Sequence, residues 1–160
     1  MSWYDWLLFL HVASAFAIVA ALVVFTVIAV AGRNVDRPVE SLRYFRIARP
    51  ANVLVIAGSV GTLVFGIWLA IYVDGYELWD GWIIAAFVLW AIAVFTGQRG
   101  GVAYAEAQKL ATRLEGEGRA DEPSTELRTL LQDRRAMWLN IVSSLAVLLL
   151  LVDMIYKPGA

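Results

Sequence analysis

Four long stretches of this chain contain almost nothing that water would stabilise. They run from about Trp6 to Ala31, Val53 to Val73, Trp82 to Gln98 and Ala136 to Tyr156. An α-helix needs roughly 20 apolar residues to cross about 30 Å of hydrocarbon. Every backbone N–H and C=O in that medium needs a partner inside the protein. The runs do not alternate apolar with polar, as the strands of a membrane barrel would. The expected fold is therefore all-α: a single membrane domain over residues 1–160, built as a four-helix bundle. Composition agrees, with 61% hydrophobic and 17% charged residues against roughly 25% charged in soluble domains.

Composition also removes chemistries. With no cysteine there are no disulfides, thiolate metal sites or thiol nucleophiles. A single histidine cannot build a multi-His metal site within one chain. A net charge of −1 offers nothing to nucleic acid. No Gly-rich phosphate loop, paired-His zinc motif or nucleophile elbow stands out. Spans one to three hold no Asp or Glu in their cores, although coupled transporters usually need such groups. No Lys or Arg precedes the first run, which is also far longer than a signal core, so it reads as a retained span.

The connecting segments set an orientation. Residues 32–50 carry Arg33, Arg37, Arg43, Arg46 and Arg49, and residues 98–135 carry seven bases including Arg99, Lys109 and Arg135. Residues 74–81 carry Asp74, Glu77 and Asp80 and no base. The positive-inside rule counts bases, which puts 32–50 and 98–135 in the cytoplasm and both termini outside a cell (inner) membrane. Trp3, Tyr4, Trp6, Trp68, Tyr72, Tyr76, Trp79, Trp82 and Tyr156 then form an aromatic belt at the outer interface.

The longer cytoplasmic loop has internal order. Residues 101–115 read as a helix with Ala103, Ala107 and Ala111 on one face, ended by Gly116 and Gly118. Glu115–Glu122 is a polar linker. Leu127, Leu130 and Leu131 form a stripe running straight into span four. These segments are expected to be amphipathic helices lying on the inner membrane face, or a docking surface for a partner. Arg49-Pro50-Ala51-Asn52 reads as the start of the second helix.

Membrane helices pack through small residues. Ala13, Ala17 and Ala21 mark such a stripe on span one. Leu8, Phe9, Val12, Phe16, Val19 and Val23 are assigned to lipid. Span two offers Ala57–Gly61, Gly58–Thr62 and Gly66–Ala70, and span three Gly97–Gly101. These seams serve packing within the chain or a homo-oligomer.

His11 lies roughly 7.5 Å below the outer interface, five residues past Trp6 at the rise of an α-helix. An imidazole in hydrocarbon is a functional candidate by default, and desolvation favours its neutral, ligating form. The bland alternative is a hydrogen bond to a hydroxyl or carbonyl on a neighbouring helix. Span four offers partners in Asn140, Ser143 and Ser144, and Val147, Leu151 and Met154 continue their face outward. Met154 falls within about 5 Å of His11 in depth. A His–Met pair can ligate a haem iron, and Met is equally a filler of core gaps. Asp153 is expected near the outer surface, solvated or paired with His11 or Lys157.

Trp6-Leu7-Leu8-Phe9-Leu10-His11-Val12, Gly61-Thr62-Leu63-Val64-Phe65-Gly66-Ile67-Trp68 and Asp153-Met154-Ile155-Tyr156-Lys157-Pro158-Gly159 together resemble the family grouped as domain of unknown function 2269. The resemblance implies a small four-span membrane protein and no particular activity. The opening of span one more distantly resembles HemJ-type protoporphyrinogen oxidases and copper-resistance D proteins, which place a His in a similar context. A haem or copper role carries over only to His11. The chain has Ala13-Ser14-Ala15 where those groups have Gly and Trp. The functions left open are a non-enzymatic accessory or oligomeric bundle with lipid or complex partners, a haem b protein or enzyme using His11 and Met154, and a copper or small-solute permeation protein.

Overall fold

The computed structural model describes residues 2–73 and 75–157. Asp74, Pro158 and Gly159, which entered the loop and tail readings, lie outside the described residues. Four long helices carry the architecture: α1 (Trp3–Gly32), α2 (Pro38–Tyr72), α3 (Gly81–Gly116) and α5 (Arg134–Tyr156), with a short α4 (Thr125–Leu131) before the last. All four long elements contain windows apolar enough to cross a membrane. The protein is an integral membrane four-helix bundle, with the start of α1 and the end of α5 on one side.

Local chemistry sets the helix ends. Ser2 and Asp5 form a reciprocal capping box at the start of α1, supplying two of the N–H partners an opening turn lacks. Asp133 caps α5 by accepting from the N–H groups of Arg135 and Ala136. The chain leaves α5 through Lys157 in the left-handed region, φ 41°.

The arginine-rich end differs from the sequence reading. Pro38 opens α2, and Pro50 lies inside it. Pro38 is the better first-turn proline because its missing N–H is unused there. At position 50 the ring removes the bond to the Arg46 carbonyl, a loss that membrane helices tolerate where other groups resolvate the carbonyl. Helix α3 does not stop at the end of span three but continues unbroken to Gly116. Its 36 residues reach about 54 Å at the α-helical rise, well beyond the hydrocarbon. The polar turn follows, with Gly118 at φ 76°. Leu127 and Leu131 do not run straight into span four, because Gln132 and Asp133 break the helix.

These segments do not lie as separate amphipathic helices. Ala107, Leu110, Ala111 and Leu114 from α3, Phe45 from α2, Val35, and Leu127 and Leu131 from α4 make one buried cluster. Leu127, Ala107 and Ala111 are fully buried. The alanines let the helices approach closely, and the apolar stripe finds protein rather than membrane surface to cover it.

Within the apolar zone the bundle is two tight pairs. In the first, α1 lies on α2. A Cβ at Gly58 would come within 2.8 Å of the Ser14 carbonyl oxygen, and one at Gly66 within 2.9 Å of the His11 ring. A Cβ at Gly61 would overlap the Ser14 hydroxyl. In the second, α3 lies on α5, with Gly97 against Ser143 and Gly100 against Asn140. The Ser143 hydroxyl donates to the Ala93 carbonyl at 2.8 Å. Trp90 links the pairs by donating from Nε1 to the Ser59 carbonyl at 3.3 Å. Helix α1 touches α5 at few points.

The seams are rotated from those expected. Ala21 is buried and Gly58, Gly61 and Gly66 pack as expected, but Ala13 and Ala57 are exposed, and α1 buries Leu7 and Ile18 beside Ala21. Gly100, not Gly101, is the packed glycine of α3. The glycines of α2 decide this, because their surface admits larger partners than Ala on α1. The bulky residues Phe9, Phe16 and Val23 do face outward, toward lipid.

Gly58→Ala is expected to destabilise the protein by about 1–3 kcal/mol, the usual cost of overpacking. Gly101→Ala has nothing within 4 Å of the new methyl. It should gain up to about 1 kcal/mol from helix propensity. Unfolding in detergent micelles, followed by circular dichroism, distinguishes the two signs.

Candidate functional site

The two helix pairs do not close on each other at the end that carries the termini. Between them lies a cavity of about 620 Å³ with mostly apolar walls, to which all four long helices contribute. Its α1 and α5 walls include Val12, Phe16 and Ile155, all exposed on the outer surface. With so little contact between those helices, the cavity reaches the lipid-facing side along their seam.

His11 is on the wall of this cavity. Its Nδ1 is 3.1 Å from the backbone carbonyl of Thr62 on α2. A neutral imidazole making that bond as donor carries its lone pair on Nε2. The ring has room because residue 66 is glycine. The partner is thus a carbonyl of α2 and none of the span-four groups. Ser143 bonds to Ala93 and Asn140 packs on Gly100.

Met154 lines the same cavity from α5, where it packs against buried Ala70, Trp82 and Ile83. The fold therefore brings the two sequence-selected residues to one chamber, on different helix pairs. Asp153 is not solvated as expected. It is 9% exposed, and Oδ2 has no hydrogen-bond partner among the described residues. Ser143, Val147, Leu150 and Asp153 recur at three- and four-residue intervals, so Asp153 falls on the buried stripe of α5.

Two further groups escaped the sequence reading. Thr62 is 7% exposed and Trp82 6% exposed. Both residues line the cavity, but Thr62 Oγ1 and Trp82 Nε1 are themselves fully buried and have no hydrogen-bond partner among the described residues. Trp82 had been placed in the interfacial belt, where Trp3, Trp79 and Tyr156 are indeed exposed. At the mouth, Lys157 Nζ donates to the Tyr76 hydroxyl at 2.6 Å. It lies 4.7 Å from the centroid of Tyr76 and 5.5 Å from that of Trp82. An unpaired buried hydroxyl costs about 1–3 kcal/mol, so Thr62 carries a cost behind the cavity wall.

Thr62→Val removes the unpaired hydroxyl while keeping the shape. Melting of the empty protein in detergent should be unchanged or rise, corresponding to about 0–2 kcal/mol of stabilisation. A loss of more than that would mean the hydroxyl already has a partner.

A family model described as predicted integral membrane protein (DUF2269) matches residues 5–158. No curated protein matches the chain, and no solved structure matches it.

Proposed function

We propose that this chain, which belongs to the DUF2269 family of predicted integral membrane proteins, is a non-enzymatic accessory protein that holds a lipophilic small molecule between its two helix pairs. One observation carries the reading: a lipid-accessible cavity of about 620 Å³ with mostly apolar walls that hold the half-buried His11 and Lys157. Ligand sites are mostly apolar chambers of roughly 300–1,000 Å³ with a few convergent polar groups. A lipophile entering between α1 and α5 fills the chamber without crossing water, and its polar atoms answer the wall.

A second reading has its own support. An imidazole that donates one nitrogen to a backbone carbonyl is oriented as metal-ligating histidines are. His11 meets that condition, and Met154 shares its cavity. In this reading the lipophile would be haem b, and His11 and Met154 are the residues that would hold its iron.

The protein should be purified gently from its native membranes, extracted with organic solvent, and the extract analysed by mass spectrometry. About one apolar molecule per chain is expected, and its absence in every detergent tried would sink the reading. A Soret band lost in His11→Ala and displaced in Met154→Leu would identify that molecule as haem.

The arginine-rich end, holding Arg37, Arg43, Arg46 and Arg49 on α2 and its approach, supports a cytoplasmic placement, with the ligand cavity toward the outside of the inner membrane. The chain has no cysteine, so single additions report cleanly. Glu77→Cys should react with an impermeant maleimide on intact cells. Thr112→Cys should react only after permeabilisation, and the reverse pattern would invert the orientation.

A further inference from the structure

We infer that the mouth of the cavity is a carboxylate site. It takes a molecule whose carboxylate rests on the Lys157 ammonium beside the Trp82 indole, while its apolar body fills the chamber below. The inference rests on the reading of the cavity as a lipophile site and adds the chemistry of the ligand's head.

Lys157 is fixed in place. It closes α5 in the left-handed conformation, its N–H bonded to the Asp153 carbonyl at 2.8 Å. Its side chain folds over the Tyr76 and Trp82 rings and is half-buried. An ammonium has three N–H donors and no acceptor. One is spent on the Tyr76 hydroxyl. Among the described residues no carboxylate lies within ion-pair distance of it.

The neighbouring Trp82 offers the ammonium its ring, at 5.5 Å from the centroid, while its Nε1 is buried behind the wall. An ammonium with two donors left over, at the polar end of an apolar chamber, matches a compact anion with two acceptor oxygens. No arginine joins it on the cavity wall, although guanidinium is the usual complement of a phosphate. The only nearby acid of α5 is Asp153, one turn earlier. It is absent from the cavity lining and unpaired with Lys157. The shared chemistry, a carboxylate on an apolar body, has two natural sources: a fatty acid, or the propionate of a porphyrin.

The full chain in detergent micelles at alkaline pH should be titrated with oleate, oleyl alcohol, phosphatidylglycerol and haemin, reading bound stoichiometry by native mass spectrometry and melting temperature in parallel. One oleate per chain is expected, bound at least about 10-fold more tightly than oleyl alcohol. Lys157→Met should weaken oleate by about 10- to 100-fold, as expected for loss of a charge-assisted bond, and leave oleyl alcohol unchanged. Lys157→Gln should weaken it to a similar extent and serves as the second variant if Lys157→Met does not fold. If haemin is the better ligand, its binding should depend on both His11 and Lys157, whereas oleate should be indifferent to His11→Ala.

Equal binding of oleate and oleyl alcohol, or indifference to both Lys157→Met and Lys157→Gln, would overturn the carboxylate site while leaving a lipophile site standing. So would preferential retention of phosphatidylglycerol. If Asp153→Asn makes the empty protein less stable and Lys157→Met leaves oleate untouched, Lys157 serves that acid instead. Binding of none of the four would overturn both inferences.

Discussion

Hydrocarbon offers the backbone no hydrogen-bond partners. That single fact makes each span of this protein a helix and leaves helix association to surface detail. Lipid tails are as apolar as leucine, so no hydrophobic force draws the helices together inside the bilayer. Close approach must supply the attraction through dispersion contacts. The chain achieves it where glycine removes a side chain: Gly58, Gly61 and Gly66 on α2, Gly97 and Gly100 on α3. Those five positions produce two tight pairs and, by default, a looser junction between them.

The looser junction is where the chemistry collects. At the arginine-rich end water restores the hydrophobic effect, and a leucine–alanine core covering Leu127, Ala107 and Ala111 draws α2, α3 and α4 together. Near the middle, Ile18, Ala93, Ala146 and Val147 keep all but α2 in contact. Toward the termini the pairs separate, and the space left open is bounded by His11, Thr62, Trp82, Met154 and Lys157. The imidazole of His11 and the ammonium of Lys157 border an otherwise apolar space, each held by one protein hydrogen bond. A binding chamber needs that combination, whereas an ordinary packing seam avoids it.

Much of the site was half-legible in the residues. His11 announced itself as the one imidazole in an apolar run, and Met154 by its depth and face. Both reached the same cavity. The hydrogen bond to a backbone carbonyl on a neighbouring helix was among the alternatives, but which helix supplied it was not. Thr62 looked like a small packing residue, and Trp82 like one more interfacial aromatic. Their burial depends on how α2 and α3 turn about their own axes, which hydropathy does not encode. Asp153 shows a readable signal that was passed over, since its spacing from Ser143 and Leu150 places it on the inner stripe.

The residues alone determined that the chain is a four-span membrane protein, because apolar length is a property of composition along a line. They determined too that the arginine-rich connections hold helical structure, through the alanine and leucine periodicities. Only the tertiary structure decided that these helices extend the spans and cover one another. It also decided that Pro50 sits inside α2, and that glycine seams pair α1 with α2 and α3 with α5. The cavity belongs wholly to that second category. It is a volume left between surfaces, set by the rotation and separation of helices, and no single stretch of sequence contains it.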